Sequence, residues 1–195
     1  MTRPSTRDHL IDVGVALMHQ NGYNATGLKE ILAKAEVPKG SFYHHFASKE
    51  DFASAVLELY ATRETQHCIA VFGDTRLTPI KRLRKYFNDL IRTAGQKGPI
   101  SGCLLGRLSL EVPDQSEILA SQLSSLFAAW QKGVAQVLQL AVDAHELPAT
   151  TNVPSLAGFI LNSWEGAQVR AEADRSDDPL KLFMHYTFDI LLKNG

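Results

Sequence analysis

The residues best suited to contacting a charged partner lie close together between residues 39 and 49. Lys39 offers a cation for a phosphate oxygen or a guanine edge, and Ser41 and Tyr43 offer hydroxyls that donate to phosphates. His44 adds a ring nitrogen that can reach a phosphate or a base. Such a dense set of donors on one short segment is typical of a surface that contacts nucleic acid.

Two short helices are predicted within residues 26–49, TGLKEILAKAEVPKGSFYHHFASK. The helices span 27–35 and 38–45, and the turn of about three residues between them gives helix-turn-helix spacing. In that arrangement the second helix enters the major groove of DNA and the first crosses the backbone. Gly40 then removes a side chain where the helix must come close to DNA.

The ends of the neighbouring helices extend this candidate surface. Thr26 is the predicted N-cap of the first helix, and Ser48 is the predicted N-cap of a long helix that begins beside Lys49. Because helix N-termini attract phosphates, Thr26, Gly27 and Lys49 are predicted to hold the DNA backbone. An ordinary helical hairpin with solvated polar residues would carry the same local pattern, so the residues alone leave both interpretations open.

The remainder of the chain is also predicted to be helical, because no segment alternates strictly with period two. The predicted helices span about 5–21, 27–35, 38–45, 48–73, 79–96, 101–112, 114–146, 153–173 and 178–193. The fold class is therefore all-α. A three-helix helix-turn-helix domain is predicted over residues 4–64, with its motif at about 27–46, and a domain of five to six helices over 65–195.

Composition limits the classes of function. The chain has 195 residues, 45% of them hydrophobic, enough for one large or two small domains with buried cores. The start lacks an apolar signal segment, and no apolar run approaches the roughly 18 residues of a membrane span, so we expect a cytoplasmic protein without a membrane partner. The two cysteines, Cys68 and Cys103, predict neither a disulfide scaffold nor a zinc site, and no metal or cofactor is expected.

Net charge gives little support to DNA binding, since the whole chain carries −1. The first 50 residues hold six basic and five acidic side chains, a balance of +1: Arg3, Arg7, Lys29, Lys34, Lys39 and Lys49 against Asp8, Asp12, Glu30, Glu36 and Glu50. Binding must therefore depend on a few well-placed contacts duplicated by dimerisation.

Residues 5–60 resemble the N-terminal domain of TetR/AcrR-family repressors. The resemblance is carried by GYNATGLKEILAKAEVPKGSFYHHFASKEDF, with Gly22, Thr26, Ile31, Ala35, Gly40, Phe42, Tyr43, Phe46, Lys49 and Glu50 at the family's marked positions. It implies an all-α homodimer that binds operator DNA through Lys39, Tyr43 and His44. It also implies a C-terminal domain that binds a small-molecule effector and forms the dimer.

Cys103 is a candidate sensor in the segment GPISGCLLGRLSLEV, residues 98–112. It stands at the predicted start of a short helix, where the N-terminus favours a thiolate, and Arg107 lies one turn further on the same face. This combination suits a thiol that reacts with electrophiles or oxidants. A free cysteine is more often a small buried hydrophobe, and Cys68, which lies mid-helix among apolar residues, is interpreted in that way.

That segment, together with SWEGAQVRAEADRSDDPL at 163–180, resembles the NemR/AcuR-type branch of the family, whose members control genes for handling reactive electrophiles. The resemblance implies that Cys103 is a regulatory cysteine. A lysine that can partner the oxidised cysteine in this branch corresponds here to Glu172. The guanidinium of nearby Arg170 is a poor nucleophile. A thiol adduct or a sulfenic acid is therefore expected rather than a sulfenamide.

A noncovalent pocket is the alternative for the second domain. Aromatic side chains fall on its predicted inner faces: Phe87, Phe127, Trp130, Phe159 and Trp164. Trp130 and Trp164 are the predicted pocket aromatics, and Gln168 and Arg170 are suited to a carboxylate or carbonyl.

The last two helices are predicted to form the dimer interface through two apolar faces. The first face comprises Leu156, Phe159, Ile160, Ser163 and Ala167, and the second Leu182, Phe183, Tyr186, Phe188, Ile190 and Leu191.

Two other classes of function are alternatives to a regulator. An enzyme is not expected, because the chain has no Ser-His-Asp, metal-ligand or glycine-rich phosphate signature. A helical protein-interaction module is supported only by the weak charge of the N-terminal half.

Overall fold

The computed structural model describes residues 5–95 and 102–193, and within them every regular element is a helix. The all-α prediction is thereby confirmed for the described part of the chain. The helices are α1 (Thr6–Ala25), α2 (Leu28–Ala35), α3 (Lys39–His45), α4 (Lys49–Phe72), α5 (Pro79–Gly95), α6 (Leu104–Ser109), α7 (Glu117–Asp143), α8 (Val153–Asp174) and α9 (Asp178–His185). A π-helical turn, Tyr186–Leu191, follows α9 directly.

Contacts divide the described residues into two compact units. The first unit contains the residues up to Glu64 together with Cys103–Leu126, and the second contains Thr65–Gly102 and the residues from Phe127 onward. The predicted boundary after residue 64 coincides with the first change of unit. Residues 103–126 nevertheless belong with the N-terminal helices, because α6 packs against α1 and buries Leu104, Leu105 and Leu108.

Helix α1 supplies one wall of the first unit. The Ser5 hydroxyl accepts the N–H of Asp8 and caps the helix, and Leu10, Leu17 and Met18 are buried on its inner face. The predicted stop at Asn21-Gly22 corresponds to a real break, since Gly22 leaves helical geometry at φ 81° and ψ −177°. The chain resumes one more helical turn before it enters the helix-turn-helix motif.

The motif is fixed by its turn and by an aromatic cluster. Glu36 ends α2 in the left-handed conformation, and Pro38 stands just before α3, one residue earlier than predicted. The rings of Phe42, Phe46 and Phe52 pack with centroids 5.0–5.3 Å apart. These apolar contacts hold one face of α3 and leave the opposite face free to display polar side chains.

The second unit has its own core, built on aromatic side chains. Phe87 on α5, Trp164 on α8 and Phe183 on α9 lie with ring centroids 5.0–5.2 Å apart. Cys68 packs against this core, as its interpretation as a packing residue requires.

Three predicted boundaries differ from the structure. Helix α6 ends at Ser109 rather than near 112, because the chain turns three residues before Pro113. Helix α7 begins at Glu117, where the Ser116 hydroxyl accepts the N–H of Leu119, rather than near 114. The predicted last helix changes to π-helical geometry at Tyr186. The helix break predicted at Gly98-Pro99 lies outside the described residues.

Candidate DNA-binding surface and cysteine site

Helix α3 presents a polar, solvent-facing side. Lys39 and His44 are exposed, and the Tyr43 ring is 54% exposed although it is a large aromatic side chain. The Lys39 ammonium lies 5.9 Å from the centre of the Tyr43 ring, so the cation and the phenol share one patch. Ser41 is half-buried. Lys39 and Tyr43 thus lie together on the solvent side of α3, and His44 is exposed on the same helix. Their contact with DNA stays a prediction.

Gly40 lies in the same patch with open space around it. A Cβ built at this position would meet no described atom within 4 Å. The packing of the described residues therefore does not require a glycine at position 40.

The prediction that Thr26 is the N-cap of α2 is wrong. Gly27, not Thr26, is the N-cap residue of α2, and no side chain caps that helix. Thr26 is fully buried, and its hydroxyl donates to the carbonyl oxygen of Gly22 at 2.6 Å. Its side chain therefore stabilises the turn from within. A phosphate at this helix end would meet backbone N–H groups beside the exposed Gly27 instead.

Lys49 stands at the start of α4, where the predicted capping is confirmed. The Ser48 hydroxyl accepts the N–H of Asp51 at 3.0 Å, and the Asp51 carboxylate accepts the N–H of Ala47 at 2.9 Å. The Lys49 ammonium lies 4.4 Å from the centre of the Tyr23 ring. Partial burial lowers the pKa of Lys49, while the negative charge of Glu111 raises it.

The sulfur of Cys103 lies in a small polar cluster inside the first unit. Cys103 is 8% exposed and occupies the N-cap position of α6. The Tyr60 hydroxyl on α4 lies 3.8 Å from Cys103 Sγ, within hydrogen-bond distance for sulfur. The His19 ring on α1 lies 6.2 Å from the Tyr60 ring.

Tyr60 is a candidate site residue that the sequence did not predict. Burial, followed by the neighbouring Cys103, raises the pKa of Tyr60 well above its usual value, and either Tyr60 or Cys103 can be the donor in their contact. The signal in the sequence is its position one helical turn after buried Val56 and two after buried Phe52. A tyrosine on such a buried face needs a partner for its hydroxyl.

Helix α6 has only six residues, so its dipole is a smaller influence on Cys103 than the sequence suggested. Arg107 lies one turn after the cysteine, at the predicted spacing, and is half-buried. In the second unit, a carboxylate oxygen of Glu172 lies 3.0 Å from the place of a Cβ on Gly102. A carboxylate cannot form a sulfenamide, so the oxidised-cysteine chemistry expected of a lysine has no counterpart at Glu172.

The predicted pocket residues Trp164, Trp130 and Gln168 differ in burial and in hydrogen bonding. Trp164 is 2% exposed and lies in the aromatic core, and Trp130 is half-buried. The indole N–H groups of both are buried and have no hydrogen-bond partner among the residues that the structure describes. The Gln168 amide donates to Glu165 Oε1 at 3.2 Å.

One predicted inward aromatic, Phe159, is wrong: it is 58% exposed on α8, which removes it from the inner aromatic set but fits the predicted dimer face. The error comes from a helix whose apolar residues are spread over more than one face. Arg170 is also exposed, and its guanidinium pairs with Asp174 at 2.9 Å, one helical turn away. Its role as an effector contact stays a prediction.

Neither a metal-binding cluster nor a membrane-spanning helix is present among the described residues. No group of three or more histidine, cysteine, aspartate or glutamate side chains among them could hold a metal ion. None of the helices described is both long and apolar enough to cross a membrane.

Together, the helix-turn-helix motif with its displayed polar face and the separate helical unit define a helix-turn-helix transcriptional regulator. Residues 10–56 match the family of bacterial regulatory proteins named tetR, and residues 79–187 match the tetracyclin repressor-like C-terminal domain. The chain belongs to the TetR family.

Curated relatives match this chain over most of their length. The chain is 32% identical to the transcriptional repressor DhaR of Mycobacterium sp. (strain GP1), covering 98% of this chain and 95% of that protein. It is 35% identical to the transcriptional regulator AcuR of Cereibacter sphaeroides, covering 89% and 80%. It is 33% identical to the transcriptional repressor NemR of Escherichia coli K12, covering 97% and 96%.

Solved structures agree in fold. A regulatory protein TetR from Rhodobacter sphaeroides superposes with a TM-score of 0.89 at 34% identity, covering 94% of this chain and 96% of that one. The reduced form of Escherichia coli NemR superposes with a TM-score of 0.88 at 34% identity, covering 95% and 96%.

Proposed function

We propose that this protein is a transcriptional repressor that binds a palindromic operator as a homodimer and leaves it when a reactive electrophile modifies Cys103. The observation that carries the DNA part is the display of Lys39, Tyr43 and His44 on the solvent face of α3, above the aromatic cluster that anchors it. The names of DhaR and NemR, both repressors, support repression over activation.

Lys39, Tyr43 and His44 are the proposed operator contacts, with Ser41 and Lys49 on flanking phosphates. Loss of one specific contact costs about 1–3 kcal/mol, so Lys39→Ala should weaken operator binding about tenfold or more. The operator is first selected from a random duplex pool and then titrated by fluorescence anisotropy. Lys132→Ala removes an equal charge from an exposed site on α7 and is the matched control. Equal affinities of the two variants would exclude α3 as the reading helix.

Homodimerisation is proposed through the exposed apolar side chains at the C-terminal end of the second unit. Five of the predicted interface residues are exposed: Phe159, Leu182, Tyr186, Ile190 and Leu191. Three others, Ile160, Phe183 and Phe188, are buried in the core of this unit. A neighbouring groove of about 320 Å³ is lined by apolar side chains that include Leu147 and Leu192. Such exposed apolar surface is typical of a subunit interface. Leu182→Asp should shift the light-scattering mass to that of one chain, whereas Ile69→Asp, at another exposed apolar site, should not.

Release is proposed to follow covalent modification of Cys103. Its thiolate adds to the β-carbon of an α,β-unsaturated carbonyl compound, which forms a C–S bond and moves the π electrons to the carbonyl oxygen. Water then supplies the proton that the enolate needs. The hydroxyl of Tyr60, 3.8 Å from the sulfur, stabilises the thiolate by donating to it.

The test of release compares two single-cysteine variants bound to the operator. Cys68→Ser retains Cys103 and should still dissociate when acrolein is added, with one adduct found by intact mass. Cys103→Ser should stay bound under the same conditions. Release of both variants to the same extent would eliminate Cys103 as the site of action.

A noncovalent effector site in the second unit is a second candidate, favoured by the two unpartnered indole N–H groups of Trp130 and Trp164. A buried donor without a partner carries a desolvation cost that an acceptor on a ligand would remove. Such a ligand carries a carbonyl or carboxylate on an apolar body. Release of Cys103→Ser by a non-electrophilic compound of this type, with a change in tryptophan fluorescence, would favour the pocket over the cysteine.

A further inference from the structure

Glu111 makes a long-range contact with the turn that leads into the helix-turn-helix motif. It lies just after α6, and its Oε2 accepts the backbone N–H of Asn24 at 2.7 Å across 87 positions of sequence. The contact lies wholly within the first unit. A carboxylate accepting a backbone N–H is a charge-assisted bond, among the stronger hydrogen bonds in proteins.

The Glu111 carboxylate also lies close to Gly22, where the backbone has a positive φ. Its φ of 81° with ψ of −177° belongs to a region that essentially only glycine adopts. A Cβ at this position would also collide with the Glu111 side chain, 2.8 Å from its Cδ. The chain therefore breaks α1 at Gly22, and the carboxylate occupies the space that a side chain would otherwise take.

The charge of Glu111 also reaches a proposed phosphate contact. Burial lowers the pKa of Lys49, and the carboxylate of Glu111 opposes that effect. The Lys49 ammonium lies over the Tyr23 ring, and Tyr23 is one of the residues of the turn that Glu111 holds. Glu111 thus acts on both the backbone and the cation at this end of the motif.

Two further contacts join the segment after Glu111 to the start of α4. The Ser116 hydroxyl donates to Glu50 Oε1, and the Gln122 amide donates to the Ser54 carbonyl oxygen at 3.1 Å. The stretch that begins at Cys103 therefore contacts the DNA-binding helices at two places, the Gly22–Asn24 turn and the first two turns of α4.

We propose that Glu111 is a positioning residue of the DNA-binding head, which couples the segment that begins at Cys103 to the geometry of the Gly22–Asn24 turn. The inference rests on the proposed repressor function and adds the route by which release is transmitted. When the Cys103–Ser109 end of this segment shifts, the carboxylate is withdrawn from the Asn24 N–H, and the entry into α2 loses its fixed conformation.

The direction in which Glu111→Ala changes operator affinity separates a positioning role from a simple effect of charge. Removing a negative charge near the DNA would by itself strengthen binding, because phosphates repel carboxylates. Glu111→Ala is instead expected to weaken operator binding about tenfold. Glu117→Gln removes an equal charge from an exposed site in the first turn of α7 and should bind as tightly as the unchanged protein or slightly more tightly. Glu111→Gln keeps an acceptor for the Asn24 N–H and should show a smaller loss, about threefold.

Hydrogen exchange of the free protein provides a measurement that does not depend on operator binding. Deuterium uptake in a peptide covering residues 22–30 should be faster in Glu111→Ala than in Glu117→Gln, and thermal unfolding shows whether the variant as a whole remains folded. Alkylation of Cys103 should also accelerate uptake in that peptide in the unchanged protein and change it little in Glu111→Ala.

Uptake equal to that of Glu117→Gln, or operator affinity equal to it, would overturn the role of Glu111. If the unchanged protein does not bind a selected operator, or stays bound after Cys103 is alkylated, the repressor proposal fails instead. The exchange measurement still decides the structural part in that case, so the two failures are distinguishable.

Discussion

Replacing Gly40 by alanine should separate the stability of the protein from its affinity for DNA. Gly40 has ordinary helical geometry within α3, and a Cβ there would meet no described atom within 4 Å. The packing of the described residues thus gives no reason for a glycine at this position. The proposed reason is that the backbone of α3 approaches DNA at this position, where a methyl group would collide with the duplex.

The two effects have opposite signs. Alanine in a helix is favoured over glycine by about 0.5–1 kcal/mol, which raises the melting temperature by roughly 1–4 °C in a chain of this size. Operator affinity is expected to fall by at least about tenfold, or about 1.4 kcal/mol, because the helix must lie further from the groove. A variant that is more stable and yet binds less tightly cannot be explained by damage to the fold.

Thermal unfolding and anisotropy titration of the same preparation measure both quantities. Gly133→Ala is the matched control, since a Cβ at that position on α7 would meet only Phe72 at an ordinary 3.9 Å. It should gain similar stability and keep its DNA affinity. If Gly40→Ala binds the operator as tightly as Gly133→Ala does, α3 does not approach DNA through Gly40, and this account of the surface is refuted.

Three further substitutions test the interior of the first unit. Gly22→Ala should destabilise the protein by about 2–4 kcal/mol in chemical denaturation, because alanine meets a glycine-only conformation and collides with Glu111. Tyr60→Phe should slow alkylation of Cys103 at pH 7 by about threefold to tenfold and move the midpoint of its pH–rate profile upward, because the thiolate loses a donor. Glu64→Gln should raise the melting temperature at pH 8 and have little effect at pH 4. The reason is that burial raises the pKa of Glu64 in the folded state, so stability falls as the pH rises from the ordinary carboxyl pKa to the raised one and stays lower above it.

Each of these has a result that would contradict it. Adding Glu111→Ala to Gly22→Ala should recover part of the lost stability, and strict additivity would show that the collision is not a cause. A Tyr60→Phe protein with an unchanged pH–rate profile for Cys103 would leave tyrosine a packing role only. A Glu64→Gln effect of the same size at pH 4 and pH 8 would exclude ionisation as its origin.

Local sequence signals predicted the elements well, and they failed where two neighbouring residues could serve the same purpose. Ser48 was identified as a cap because serine three residues before an acid is a strong signal, and both hydrogen bonds are present. Thr26 gave a similar signal, but the adjacent Gly27 takes the cap position more easily, and the threonine hydroxyl turns back to Gly22. Phe159 gave the apolar signal of an inner face, but the apolar residues of α8 are spread over more than one face and this ring is exposed.

The contacts that matter most for regulation could not be predicted in the same way. Tyr60 meets Cys103 across 43 positions, and Glu111 meets Asn24 across 87. Neither pair has a periodicity or a spacing of its own, because such contacts depend on how α6 lies against α1. The sequence does mark one side of each contact: Tyr60 lies on a buried face, and Gly22 marks the helix break beside Asn24.

Burial and reactivity make opposite demands on Cys103. A thiolate taken out of water loses hydration, and a hydrogen bond to a charged acceptor, worth about 1.5–3 kcal/mol, returns part of that loss through Tyr60. An adduct on an exposed thiol would leave the packing around it unchanged. An adduct on a thiol that is 8% exposed must displace the side chains that bury it, which would disturb the contact of α6 with α1. Because the same short segment ends at Glu111, that rearrangement acts on the Gly22–Asn24 turn, which makes the burial of Cys103 a requirement of the proposed switch rather than an argument against it.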